Sequence, residues 1–180
     1  NSAYKILSNI PLTADVYEMR LEGDTQYLTA PGQFINIKLN GRFLRRPISV
    51  CDYSENEIVI IYKVVGGGTA QMAGLAAGET LDCLTGLGNG YDISKSKKPL
   101  VIGGGVGVPP LYHLTKCLLK DGQSPTVVLG FNKKEEIFYE EKFMALGVPV
   151  IIATADGSYG VKGFVTDAMP QDYDYFYTCG

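Results

Sequence analysis

The sequence has one histidine, four scattered cysteines, and no long run of basic or of apolar residues. Each scarcity excludes something. Cys51, Cys83, Cys117 and Cys179 stand more than thirty residues apart, whereas zinc and iron–sulfur sites draw at least two ligands from one short loop. The opening "NSAYKILSNI" has no signal-peptide core. Disulfides are therefore disfavoured and a cytoplasmic protein is expected. Cys51, Cys83 and Cys117 sit among apolar neighbours and read as reduced core thiols. No apolar stretch approaches the roughly 20 residues that span a membrane. The net charge is −3 and the longest basic stretch is "KSKKP", so a nucleic-acid partner is not expected. His113 lies off the leucine stripe of its segment, with no acid partner evident, and reads as structural. No Ser/His/Asp or paired-carboxylate arrangement stands out, which points away from hydrolysis and towards a cofactor that carries the reaction.

What is present falls into two rhythms. "AYKILSNI", "VYEMRLE", "QFINIKL", "ISVCDY", "EIVIIYKVV" and "TLDCLTG" are short runs rich in Ile, Val and Tyr, separated by "EGD", "APG", "NG", "SEN" and "AAGE". Six strands at this spacing predict an antiparallel barrel. Between the last two, "GTAQMAGLA" predicts a short helix capped by Thr69 or Gly68. After "SKSKKP" buried runs alternate with helical segments: "PLVIGG", "LYHLTKCLLKDG", "PTVVLGFN", "KKEEIFYEEKFMALG", "VPVIIATA" and "YDYFYTCG". Alternation of this kind predicts a parallel, Rossmann-like sheet covered on both faces. The expected fold is a β barrel over residues 1–95 followed by an α/β domain over 96–180. In the second, Leu111, Leu114, Cys117 and Leu118 share a helical face that Gly122 closes, and Tyr175, Phe176 and Tyr177 read as a buried strand.

Three stretches carry candidate chemistry. "VIGGGVGVPPL" follows a buried strand and opens a helix, the context in which free N–H groups and the helix dipole hold a pyrophosphate. Its spacing is not G-x-G-x-x-G and no ribose-binding acid ends the next strand, so a purely structural turn stays open. In "RFLRRPISV", Pro47 suits an edge or a strand start, Arg46 could grip a phosphate, and Ser49 shares a side with Pro47. A surface arginine cluster on an edge strand is the alternative. "IYKVVGGGTAQMAGL" offers a backbone nest for an anion after a strand in which Tyr62 either faces a ligand ring or fills the barrel wall.

In this order and spacing, "RRPISV", "IYKVVGGGT" and "VIGGGVGVPPL" resemble the ferredoxin–NADP reductase superfamily. "ATADGSYGVKGFVTD" and "YTCG" are similar to the electron-transfer subunits of class B dihydroorotate dehydrogenases within it. The resemblance implies FAD on the barrel. Arg46 would hold its pyrophosphate, Pro47, Ile48 and Ser49 would run along the flavin, Ile61, Tyr62 and Lys63 would line the opposite wall, and Gly68 and Thr69 would take phosphate. It implies NAD(H) on the second domain, at Gly103, Gly104, Gly105, Val106 and Gly107, near Thr154, Asp156 and Gly157. Cys179 and Gly180 would face the flavin–nicotinamide contact, with Ser49 on the flavin side. It implies an FMN-containing dehydrogenase partner in a hetero-oligomer serving pyrimidine biosynthesis, with electrons passing through a 2Fe-2S cluster. That family holds its cluster with clustered cysteines; none stands here, so no metal site is expected in these residues and the chain is expected to be cut short at its C-terminus. Subunits of sulfide dehydrogenases or of NADH-dependent ferredoxin–NADP reductases, and a binding module without redox work, are the alternatives. Lys133 and Lys134 leave NADH against NADPH open.

Overall fold

A computed structural model describes residues 2–180. Six antiparallel strands close into a barrel in the order β1-β2-β5-β4-β3-β6: β1 (Ser2–Pro11), β2 (Val16–Glu22), β3 (Phe34–Lys38), β4 (Arg46–Tyr53), β5 (Glu57–Lys63) and β6 (Thr80–Leu87). Alternation along the strands sends Tyr4, Ile6, Met19, Leu21, Ile35, Ile37, Val50, Ile58, Ile60, Leu81 and Cys83 inward as one core. Helix α1 (Gly67–Ala73) adds Met72 to that core. Its N-cap is Gly66, not the expected Thr69 or Gly68. Thr69 sits in the first turn and reaches back, accepting the N–H groups of Val65 (2.9 Å) and Gly66 (3.3 Å) on its hydroxyl.

Pro47 does not mark an edge strand, because a closed barrel has none. It is the second residue of β4, opposite Asn36 of β3, and β4 pairs with β5 only from Val50 onward. The missing N–H therefore falls where β4 has a single neighbour.

The first compact unit ends at Gly90 and the second runs Tyr91–Gly180. The break precedes the expected 95/96 boundary because the connecting residues bond to the last strand: Tyr177 Oη donates to the Asp92 carbonyl (2.9 Å) and Tyr91 Oη to that of Thr178 (3.3 Å). Five parallel strands follow the order β10-β9-β8-β7-β11: β7 (Pro99–Gly104), β8 (Thr126–Phe131), β9 (Val150–Thr154), β10 (Val161–Lys162) and β11 (Tyr175–Cys179). The two-residue β10 is too short to read from sequence. Helix α2 (Pro109–Lys120) begins with two prolines, tolerable where first-turn N–H groups have no helical acceptor. It buries Leu111, Leu114 and Leu118. Cys117 is half-buried, at the flank of that stripe and not in the core as expected.

The expected helix over "KKEEIFYEEKFMALG" is broken. A turn of 3₁₀ helix covers Lys134–Glu136, and α3 spans only Glu140–Ala145. Between them Phe138 packs edge-on against Phe131 (5.6 Å) and Tyr139 against Tyr112 (5.3 Å). Holding both rings takes Tyr139 to φ 67°, where a right-handed helix cannot continue. β11 also differs from expectation: as an edge strand it buries Tyr177 but leaves Tyr175 and Phe176 exposed.

Candidate functional site

In the barrel unit, the loop before β4 and the loop before α1 meet. Arg42 donates from Nη2 to the Gly67 carbonyl (3.1 Å) and from Nε to Gln71 Oε1 (3.3 Å). Arg46 donates from Nη1 to the Leu44 carbonyl (2.8 Å), and its guanidinium lies flush on Gly68, so that a Cβ there would overlap Nε. Arg45 is used differently, paired with Asp82 (3.0 Å) and bonded to the Asn36 carbonyl (3.2 Å). Two cations thus frame the first-turn N–H groups of Gly67 and Gly68, which have no helical acceptor. Sequence reasoning placed Arg46, Gly68 and Thr69 here and missed Arg42, whose signal was its position four residues before Arg46.

Beside this nest, Pro47 and Ser49 face out from β4 opposite Asn36 and Phe34. Asn36 Oδ1 is buried there and accepts no hydrogen bond, an acceptor without a donor among the described residues. Ile48 is half-buried against the barrel core. Ile61 is buried, and Lys63 is half-buried and paired with Asp15 (3.2 Å). Tyr62 faces inward and cannot line a ligand wall: its ring stacks on Tyr17, its hydroxyl donates to Asn9 Oδ1 (2.8 Å), and burial pushes its pKa up to about 12. A hollow of about 420 Å³ opens elsewhere on this unit, between α1 and the starts of β1 and β6, and none of the sequence-predicted flavin residues lines it.

In the second unit, a cleft of about 330 Å³ opens at the carboxyl ends of the strands. Gly104, Gly130, Phe131 and Gly180 line it from β7, β8 and the end of β11, with Gly105, Asn132, Ala155 and the stretch Gly163, Phe164 and Val165. The chain order reverses at β7, with β8 on one side and β11 on the other, and ligands of open parallel sheets bind at such a switch. Gly104 and Gly105 have free space where a side chain would stand, and Gly105 has φ +50°.

The remaining loop positions do other work. A Cβ on Gly103 would lie 2.6 Å from Leu111 Cδ1, so this glycine seats α2 on β7. A Cβ on Gly107 would overlap the Cys179 carbonyl. Val106 is exposed and lies outside the cleft lining. Thr154 is buried, and its hydroxyl donates to the Tyr159 carbonyl (2.6 Å) and accepts the Tyr159 N–H (3.0 Å). Asp156 accepts the Ser158 N–H (2.9 Å) and hydroxyl (2.6 Å), bonds that hold its carboxyl below the usual range. With Gly157 at φ +77°, these residues shape the turn after β9 and do not line the cleft. Cys179 ends β11 opposite Gly103, next to Tyr91, whose pKa is raised first by burial and then by that thiol. Gly130, Phe131, Asn132 and the Gly163–Val165 stretch were missed; only the topology gathers them.

An antiparallel barrel followed by a parallel sheet with a glycine-lined cleft at its switch point defines a ferredoxin-reductase-like oxidoreductase of the electron-transfer kind. The solved structure of an NADH-dependent reduced ferredoxin–NADP oxidoreductase, described for flavin-based electron bifurcation, matches with a TM-score of 0.90 and 30% identity over 100% of this chain and 68% of that one. The electron transfer subunit of dihydroorotate dehydrogenase B (NAD(+)) from Fusobacterium nucleatum subsp. nucleatum is 42% identical over 96% of this chain and 72% of its own length. Its counterpart from Geobacillus sp. (strain WCH70) is 41% identical over 97% and 72%. The chain belongs to this family of dihydroorotate dehydrogenase B electron transfer subunits. No family model matches it. Among the described residues no helix is long and apolar enough to cross a membrane.

Proposed function

We propose that the chain is a flavoprotein subunit that passes electrons between NAD(H) and a partner dehydrogenase that oxidises dihydroorotate, in pyrimidine biosynthesis. The observation that carries this reading is the pair Arg42 and Arg46 over the glycine nest, with the Arg46 guanidinium lying on Gly68 where a side chain would displace it. Such a cradle suits a diphosphate, and the Pro47–Ser49 strip beside it, with the orphan acceptor of Asn36, suits a heteroaromatic ring that carries an N–H. FAD meets both demands.

In this reading Arg46 neutralises the FAD pyrophosphate, with Gly68 and Thr69 shaping the nest, while Pro47, Ile48 and Ser49 run along the flavin. Ile61 and Lys63 close the far side, and Tyr62 supports them from the core. In the second unit Gly104 and Gly105 leave room for the NAD pyrophosphate, and Gly103 and Gly107 hold the loop that does so. Val106, Thr154, Asp156 and Gly157 shape the loops around it. Cys179 and Gly180 stand at the mouth nearest the nicotinamide, and Ser49 lies on the flavin side. When bound, the flavin and the nicotinamide supply the hydride chemistry; the residues supply orientation and exclusion of water.

The described residues hold no group of three or more His, Cys, Asp and Glu that could ligate a metal. These cysteines do not fit a 2Fe-2S cluster. An FMN-containing partner in a hetero-oligomer and a cytoplasmic location belong to the same proposal. A second reading, a subunit like that of NADH-dependent ferredoxin–NADP reductase, is favoured by the structural match at 30% identity.

Reconstitution tests the proposal. Purified protein incubated with FAD and desalted should retain flavin absorption, and Arg46→Ala should weaken FAD binding about 10- to 100-fold by removing a charge-assisted hydrogen bond. A wild-type protein that stays colourless would overturn it.

A further inference from the structure

The two loops that meet at the glycine nest carry more than its cations. Among the described residues, three of the four most exposed large apolar side chains stand in them: Phe43, fully exposed, Val65, 79% exposed, and Leu44, 66% exposed. Phe43 and Leu44 form the bend between Arg42 and Arg46, and Val65 immediately precedes Gly66, the N-cap of α1. Arg42 ties one loop to the other at the Gly67 carbonyl, and Arg46 holds the Leu44 carbonyl. The backbone under these side chains is therefore fastened while the side chains themselves are bare. A single exposed apolar residue is ordinary, but a group of them on tied loops marks a contact surface.

The degree of exposure decides what can cover them. A cofactor seated in the nest can shield one side of a neighbouring ring, whereas Phe43 is bare on both faces and at its edge. Covering it takes a concave apolar surface on a macromolecule. A second copy of this chain fits poorly, because a two-fold contact through this face sets one projecting loop against the other. Position favours a different protein. Strand β4 begins at Arg46, so a body resting on Phe43 and Leu44 lies at the start of the strand whose Pro47–Ser49 strip is read above as the flavin's. Electron transfer weakens steeply with distance, and a subunit that exchanges electrons with a partner needs its contact surface there.

We propose that Phe43, Leu44 and Val65 are the anchors by which this subunit docks on its partner dehydrogenase, which offers an apolar pocket for the Phe43 ring. An aromatic and an aliphatic tip flanked by arginines, on a loop already held in place, match the make-up of interface hot spots. The fastened backbone also limits the ordering cost of association. This inference rests on the subunit reading and adds the face that the subunit uses.

Association of the natural full-length protein, loaded with FAD, with its dihydroorotate-oxidising partner tests it, read by biolayer interferometry at fixed salt. Phe43→Ala should weaken binding roughly 30-fold, the loss of one buried aromatic anchor, chiefly through faster dissociation. Leu44→Ser and Val65→Ser should each weaken it several-fold, and Ile10→Ser, at an exposed position of β1 outside both loops, should change nothing. All four side chains are exposed, so each variant should fold, which circular dichroism checks, and each should keep FAD after desalting. Unaltered association of Phe43→Ala and Leu44→Ser would overturn the inference and leave the subunit reading standing. Loss of FAD from Phe43→Ala would give the surface to the cofactor, and a dimer of the subunit alone that Phe43→Ala dissolves would give it to a second copy; either overturns the inference. A wild-type protein that does not bind the partner would overturn the subunit reading and the inference together.

Discussion

Substituting alanine in turn at Gly103, Gly105 and Gly107 separates what the glycine loop does for the fold from what it leaves open for a ligand. At Gly107 the new methyl would overlap the Cys179 carbonyl and lie 2.5 Å from Gly180 Cα, both backbone atoms that cannot rotate away. The end of β11 must move off the loop, at a cost near the upper end of overpacking, about 3 kcal/mol. At Gly103 the obstacles are Leu111 Cδ1 at 2.6 Å and Val108 Cα at 3.2 Å. Leu111 is fully buried, so swinging it aside disturbs its neighbours, for a cost of about 2 kcal/mol. At Gly105 nothing lies within 4 Å and only the left-handed backbone at φ +50° resists, at about 1 kcal/mol. Urea unfolding followed by circular dichroism reads these costs. With a slope of about 2 kcal/mol per M, Gly107→Ala should lower the midpoint by roughly 1.5 M and Gly105→Ala by roughly 0.5 M. Hydrogen exchange in β7 and β11 assigns the loss to the second unit. A Gly105→Ala protein as unstable as Gly107→Ala would refute this division of roles.

Three further outcomes follow from the same geometry. Gly105→Val should abolish NADH-driven flavin reduction in anaerobic stopped-flow while FAD stays bound, because a branched side chain fills the open space of the loop; reduction at the wild-type rate would count against that placement of the nucleotide. A thiol reagent should label Cys117 and Cys179 in the native protein and reach Cys51 and Cys83 only on unfolding, and mass mapping of the labelled sites would show any reversal. Burial lifts Tyr62 from 10.0 to about 12 and Cys83 from 9.0 to about 12, so the unfolded chain releases these protons first; stability should hold below about pH 9 and fall from there to about pH 12. Tyr62→Phe should flatten the part of that fall between about pH 10 and 12, and an unaltered slope in alkaline urea titrations would contradict the assignment.

The sequence showed the barrel because its strands alternate: Ile35 and Ile37 point in while Phe34 and Asn36 point out, and period two survives any tertiary arrangement. The parallel sheet was legible for a different reason, since runs such as "PLVIGG" and "PTVVLGFN" are apolar throughout and flank a helical segment. What escaped depended on contacts distant in sequence. Helix-forming "KKEEIFYEEKFMALG" breaks because Phe131 and Tyr112, from another strand and another helix, capture consecutive aromatic residues. Tyr62 was legible by alternation, since it shares the inward side of β5 with Ile58 and Ile60; only the resemblance set it on a ligand wall. Arg42 and Arg45 look alike in "GRFLRRP"; only the partners, Gly67 for one and Asp82 for the other, tell them apart.

The position of β11 explains why Gly180, from the far end of the chain, belongs to this cleft at all. Strands β7 to β10 are laid outward in chain order, and the chain then returns to pair β11 with the far side of β7. That return creates the switch point: without it β7 would be an edge, with a groove open on one side. The register places Cys179 opposite Gly103, and Gly107 admits the backbone of Cys179 and Gly180 so closely that Gly180 comes to line the cleft. Tyr91 fixes the same strand end through its bond to the Thr178 carbonyl and its contact with the Cys179 thiol. β11 is held along its whole length, from the Asp174 carboxylate that accepts the Lys97 and Lys98 N–H groups, through Tyr175 opposite Pro99, to Cys179 opposite Gly103, where the Tyr177 and Tyr91 hydroxyls add their bonds.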